Sequence, residues 1–154
     1  MRPIVFAMLV VTLAATGCSQ AGLDDANRLP QNEGANADVD GGLHLRNVFL
    51  LGGTDPASPA PRLALYGVLL NEGGRPVQLE RVTVEGGGSV QLAGPIALPP
   101  NQPVGTDSRP IGTASGVRGG SVPMTFTFQQ GKTMRVNVPV MQRLGHYASL
   151  PPAT

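Results

Sequence analysis

The sequence predicts an all-β fold, an immunoglobulin- or cupredoxin-like β-sandwich of about seven short strands. Three observations carry that expectation. Of 154 residues, 21 are Gly and 15 are Pro, so turn-formers and helix-breakers make up nearly a quarter of the chain. From Gly41 onward the apolar residues recur with a period of two, the pattern of strands with one buried face. Gly/Pro clusters interrupt these runs every ten or so residues, the turn spacing of a sandwich.

Each element follows in order. Residues 43–51 form a first strand, closed by Gly52-Gly53-Thr54-Asp55-Pro56, and a Pro-containing loop occupies 57–61. Residues 63–70 are apolar on both faces except at Tyr66, which points to a central, well-buried strand. After the turn Asn71-Glu72-Gly73-Gly74, the segment 77–85 changes apolar phase between Leu79 and Val82, as a β-bulge would make it do. Gly86-Gly87-Gly88 leads into Val90-Gln91-Leu92, and 95–98 is a short edge piece. Residues 99–120 hold too much Pro and Gly for a regular central strand, so irregular backbone with brief pairing near Val104 and Ile111 is expected.

The final hairpin is the most constrained element. Its apolar sets are Val122, Met124, Phe126, Phe128 and Met134, Val136, Val138, Val140. They share one face only if opposed residue numbers sum to an even value. A three-residue loop, Gln129-Gln130-Gly131, satisfies this and pairs Phe126 with Met134, Met124 with Val136, and Val122 with Val138. It also puts Gly131 where such loops need a left-handed residue. Pro123 and Pro139 fall on the outer face and lack an N–H, so limited ladder pairing is expected there.

The N-terminus reads as an export signal. Arg2 precedes an apolar run over residues 4–15, which ends in Ala15-Thr16-Gly17 before Cys18. The run fits the ~7–15 residues of a signal-peptide core and falls short of the ~20 that a membrane-spanning helix needs. Small residues leading into the single cysteine resemble the lipobox of bacterial lipoproteins. That resemblance implies cleavage before Cys18, a diacylglycerol thioether on its sulfur, and a place at the cell membrane on the extracytoplasmic side. Two or three acyl chains anchor stably where one binds marginally, at ~0.8 kcal/mol per buried methylene. Residues 19–40 carry Asp24, Asp25, Glu33, Asp38 and Asp40 against Arg28 alone, with few large apolar residues. They read as a disordered acidic tether, reaching roughly 26 Å by ~5–6 Å × √n. The expected organisation is a signal peptide at 1–17, a lipidated Cys18 with disordered linker over 18–40, a sandwich at 41–141, and a C-terminal tail at 142–154.

From Tyr66 to Val140 the ordered pieces resemble the periplasmic copper chaperones of the PCuAC type. The pieces are Tyr66-Gly67-Val68-Leu69-Leu70-Asn71-Glu72-Gly73, Leu79 to Val84, Gly88-Ser89-Val90-Gln91-Leu92, Ile96-Ala97-Leu98-Pro99-Pro100-Asn101-Gln102, Met124-Thr125-Phe126-Thr127-Phe128 and Val136-Asn137-Val138-Pro139-Val140. The likeness covers roughly residues 41–141 and is nearer to small actinobacterial lipoproteins of the LpqE kind. It implies a cupredoxin-like sandwich; the chaperones hold Cu(I) with two His and two Met on loops at one end. Their first His would fall at Ala93, and their His-x-Met pair would fall within 105–118, where this chain has Gly, Thr, Ser and Arg. None of the four ligands carries over, so no resident metal or other cofactor is expected.

Other soft donors remain. Met124 and Met134 are in phase with the core. His44 alternates with Leu43 and Leu45 on a strand and reads as a partly exposed sheet residue. Met141 and His146 lie beyond the last strand and could approach each other, but two ligands make a weak Cu(I) site. A hydrolytic site finds no support, since neither His is placed beside a nucleophile and a third orienting group. Gly86-Gly87-Gly88-Ser89 lacks the following Lys and the helix of a phosphate cradle. Glu80 and Glu85 need not share a face on a bulged strand. Arg75, Arg81, Arg118 and Arg135 read as solvated surface charges, and with no basic run a nucleic-acid partner is not expected. The sequence therefore predicts a non-catalytic, lipid-anchored envelope protein that binds a protein or envelope component. The alternative is a copper-handling protein with altered ligands.

Overall fold

The computed structural model describes residues 33–52 and 60–154. The signal segment 1–17, Cys18 and most of the linker lie outside the described residues, as do 53–59 of the expected turn and loop. Among the described residues there are nine strands: β1 (Ala35–Val39), β2 (Leu43–Leu51), β3 (Arg62–Asn71), β4 (Val77–Val84), β5 (Ser89–Leu92), β6 (Ile96–Leu98), β7 (Gly112–Ser115), β8 (Ser121–Phe128) and β9 (Thr133–Met141). Among the described residues no helix is long and apolar enough to cross a membrane.

Seven of the nine strands close a ring in the order β2-β3-β7-β5-β4-β8-β9, with β1 added on β2 and β6 on β4. Two seams in the ring are thin. Strands β4 and β5 pair only at Thr83–Ser89, and parallel β2 and β9 pair only at Leu50–Val140 and Leu51–Met141. The ring therefore flattens into two layers, β1-β2-β3-β7-β5 facing β6-β4-β8-β9. The expected sandwich is present, with β1 and β6 beyond the seven-strand ring. Between the layers lie Leu45, Leu50, Leu65, Leu69, Leu79, Met124, Phe126 and Val138, all fully buried.

Two bulges set which residues point inward. In β2 the inward row passes from Leu43 and Leu45 to Val48 and Leu50, a one-residue slip that breaks the register with β3 between Arg46 and Phe49. Asn47 takes the left-handed conformation there (φ 50°), which Asn tolerates, and its side chain accepts from the Gly34 amide at 3.0 Å. The slip turns Phe49 and Leu51 outward. In β4 the register breaks between Leu79 and Arg81, at the phase change read from the sequence. The hairpin register also agrees with the expectation: Phe126–Met134, Met124–Val136 and Val122–Val138.

Four expectations need correction. Residues 35–39, assigned to the disordered linker 18–40, form β1. Ala35, Ala37 and Val39 are half-buried against the core, a row of small residues too weak to stand out as a strand pattern. The segment 99–120, expected to lack a regular central strand, contains β7 between β3 and β5. Gly112 permits this, because a Cβ there would crowd the Gln91 carbonyl and the Leu92 side chain. The anticipated contacts near Val104 and Ile111 do occur, as bonds to Leu69 and Leu65. Pro123 and Pro139 do not shorten the hairpin, whose pairing is continuous from Ser121–Pro139 to Thr127–Thr133. Residues 142–154 are more than a tail: a 3-10 turn (Gly145–Ser149) buries Tyr147 against the sheet.

Candidate functional site

The outward turn of Phe49 and Leu51 gives the β2–β3 layer a second apolar surface, with Ala64 and Tyr66 beside them. Met141, expected beyond the last strand, is the final residue of β9, and residues 142–154 cross this surface as a strap. Phe49 stacks on Tyr66 at 5.2 Å between ring centroids and meets Tyr147 at 5.1 Å. The Tyr66 hydroxyl donates to the Pro151 carbonyl at 2.5 Å, and the Tyr147 hydroxyl donates to Glu33 Oε2 at 3.1 Å. Burial pushes the Tyr66 phenol up, and nearby Arg143 partly offsets this. Burial, then the hydrogen bond and negative charge of Glu33, pushes Tyr147 up to about 12.

Met141 packs against this aromatic cluster, and the exposed His146 ring lies 3.8 Å from the Tyr147 ring. The two soft donors singled out from sequence thus border the same aromatic cluster, Met141 on the cluster as a whole and His146 on the Tyr147 ring. The other candidates are committed elsewhere. Met124 and Met134 are core residues. His44 is fixed on both ring nitrogens, Nδ1 to Asp38 Oδ1 at 2.6 Å and Nε2 to Glu72 Oε2 at 3.1 Å. Arg46 also binds Asp38, at 2.6 Å, and lies 3.3 Å from His44 Nδ1. The Asp38 bond, then that to Glu72, raises the His44 pKa against the opposing effect of burial. The bonds to His44 and Arg46 hold the Asp38 carboxyl below its ordinary range. Because the carboxylates engage opposite nitrogens, this trio forms a bridge, with no common point for a metal. No group of three His, Cys, Asp or Glu that could hold a metal ion occurs among the described residues.

A cleft of about 530 Å³ opens at the far end of the strap. Across the outer face of the sheet, Thr113 of β7 stands between Ala64 of β3 and Gln91 of β5. Arg62 and Arg109 flank this row, and Ala93 and the strap residues Pro151 and Pro152 form walls. Ala93 and residues 109–113 belong to the segments in which the resemblance places the chaperones' ligands. This chain offers guanidinium groups there, which repel a metal cation, and no imidazole or thioether. Sequence reasoning missed this site because Arg62, Gln91, Arg109 and Thr113 come from four separate segments. It also missed Tyr147, although an aromatic in the tail with Leu144 and Leu150 on either side was a usable signal.

The remaining motifs are structural. Gly86 and Gly87, at φ 91° and 100°, make the β4–β5 turn. Glu85 pairs with Arg135 through two bonds of 2.6 and 2.8 Å, so Arg135 carries an ion pair on the surface.

The sequence matches no protein-family model and no curated protein. Solved structures do match. The copper-bound PCuAC domain from PmoF2 superposes with TM-score 0.56 and 21% identity over 70% of this chain and 97% of that domain. The apo PCuAC domain from PmoF1 gives 0.54 and 20%, over 70% and 98%. The apo PmoF2 domain gives 0.53 and 17%, over 72% and 97%. The chain has the fold of these PCuAC domains.

Proposed function

We propose that this chain is a non-catalytic, LpqE-like lipoprotein that handles Cu(I) as transient cargo on the extracytoplasmic side of the cell membrane, anchored by lipid on Cys18. The observation that carries the copper reading is the fold: it matches PCuAC domains over nearly their whole length, one of them copper-bound. The donor chemistry supports it at a different place from the chaperones' loops. Met141 and His146 meet the same aromatic cluster at the surface, and a thioether with an imidazole suits Cu(I). Two ligands, one of them exposed, favour a labile site that receives and releases the ion.

Titrating the chain bearing Cys18→Ser with Cu(I) against a competing chelator, under reducing conditions, tests this reading. One equivalent is expected to bind, and Met141→Leu with His146→Gln to abolish it. Binding no tighter than a generic peptide's, or unchanged in the double variant, overturns it. The anchor is tested separately by metabolic labelling with a palmitate analogue, which Cys18→Ser is expected to abolish.

A second reading, binding of a protein or envelope component, is favoured by the cleft beside Thr113, where the chaperones' loop donors are replaced by arginines.

A further inference from the structure

The structure assigns the cleft between Arg62, Arg109 and Thr113 as a binding site for a small organic anion, a carboxylate or phosphate ester with a compact apolar body. This goes beyond the copper reading and involves none of its donors. Three features define the ligand. Arg62 and Arg109 both line the cleft beside Thr154, and among the described residues no Asp or Glu side chain does. A guanidinium offers a planar fork of donors that matches carboxylate or phosphate oxygens. Thr113 is only 9% exposed, and among the described residues its hydroxyl donates to one acceptor, a Thr154 oxygen at the limiting distance of 3.5 Å. A hydroxyl that lines the cleft with one long hydrogen bond has capacity for a better acceptor. The walls supply the third feature: Leu92, Pro110, Pro151 and Pro152 are apolar, and the prolines hold their backbone in place without offering competing N–H donors. A cleft of about 530 Å³ lies within the ~300–1,000 Å³ of small-molecule sites.

Asp107 modulates the site from outside. Its carboxylate lies 3.6 Å from Arg109 Nε in an exposed, loosely formed pair. Such a pair is weak and screened by salt, and an anion entering the cleft competes with it.

The test is an NMR titration of the full chain with phenyl phosphate and with benzoate, using neutral benzamide as the control. Binding of one anion identifies the headgroup class, and binding of both identifies a general anion site. Amide shifts are expected at Gln91, Arg109, Ile111, Gly112 and Thr113. Replacing both arginines (Arg62→Gln, Arg109→Gln) is expected to weaken affinity about tenfold or more. Asp107→Asn is expected to strengthen it, a gain that damage to the fold does not produce. Failure of both anions to bind, benzamide binding as well as benzoate, or a double variant within roughly twofold of the parent overturns the assignment.

Discussion

The Tyr147 hydroxyl donates to Glu33 Oε2 at 3.1 Å, joining two residues 114 positions apart in the chain. Glu33 precedes β1, and Tyr147 sits in the strap that covers the outer surface of β2 and β3. One hydrogen bond therefore ties the approach to the first strand to the segment that closes over the second apolar cluster. The Tyr66–Pro151 bond secures the same strap at a second point, on β3.

Removing that tie is expected to loosen the strap without disturbing the core. Tyr147→Phe keeps the ring on Phe49 and loses the hydroxyl bond, at about 1 kcal/mol of stability. Because the folded state raises this phenol from 10.0 to about 12, its contribution is complete below pH 10 and is lost as pH rises toward 12. Absorbance of tyrosinate at alkaline pH is the check: Glu33→Ala is expected to lower the Tyr147 transition, leaving part of the upward shift because burial remains.

His44 makes β1 pH-dependent. Its pKa is raised by Asp38 and Glu72, so its contribution is complete below the ordinary value of 6.5 and is lost as pH rises through the folded value. Asp38 is depressed, so its contribution is present above 3.8 and is lost as pH falls through its folded value. Both operate between these limits. The melting-temperature gap between the parent and His44→Gln is expected to be widest near pH 5–6 and to close as pH rises above neutrality. A gap that grows with pH contradicts the bridge.

Gly105 holds the backbone approach that lets Val104 exchange two bonds with Leu69, at 2.8 and 2.9 Å. Its φ is +92°, and a Cβ there would collide with the Gly67 carbonyl oxygen. Gly105→Ala is expected to cost about 2 kcal/mol or more in urea unfolding. Gly120→Ala is the comparison: nothing lies within 4 Å of its Cβ position, and little change is expected.

The fold was legible wherever apolar rows alternate strongly. Phe126, Met134 and their neighbours set the hairpin register, and the break between Leu79 and Val82 marked the β4 bulge. Strands built from small residues were not legible. Ala35 and Ala37 bury little area, and Gly112-Thr113-Ala114 falls in a Pro- and Gly-rich segment that reads as irregular backbone until β3 and β5 flank it. The soft donors Met141 and His146 could be named from sequence because few exist. The arginine-lined cleft could not, since pairing across β3, β7 and β5 alone brings its residues together.

The most direct measurement of the copper account is X-ray absorption at the copper edge on the Cu(I)-loaded chain bearing Cys18→Ser. One sulfur and one nitrogen scatterer are expected, the sulfur disappearing in Met141→Leu and the nitrogen changing in His146→Gln. A copper environment with only oxygen or nitrogen neighbours, or one unaltered by both substitutions, contradicts it.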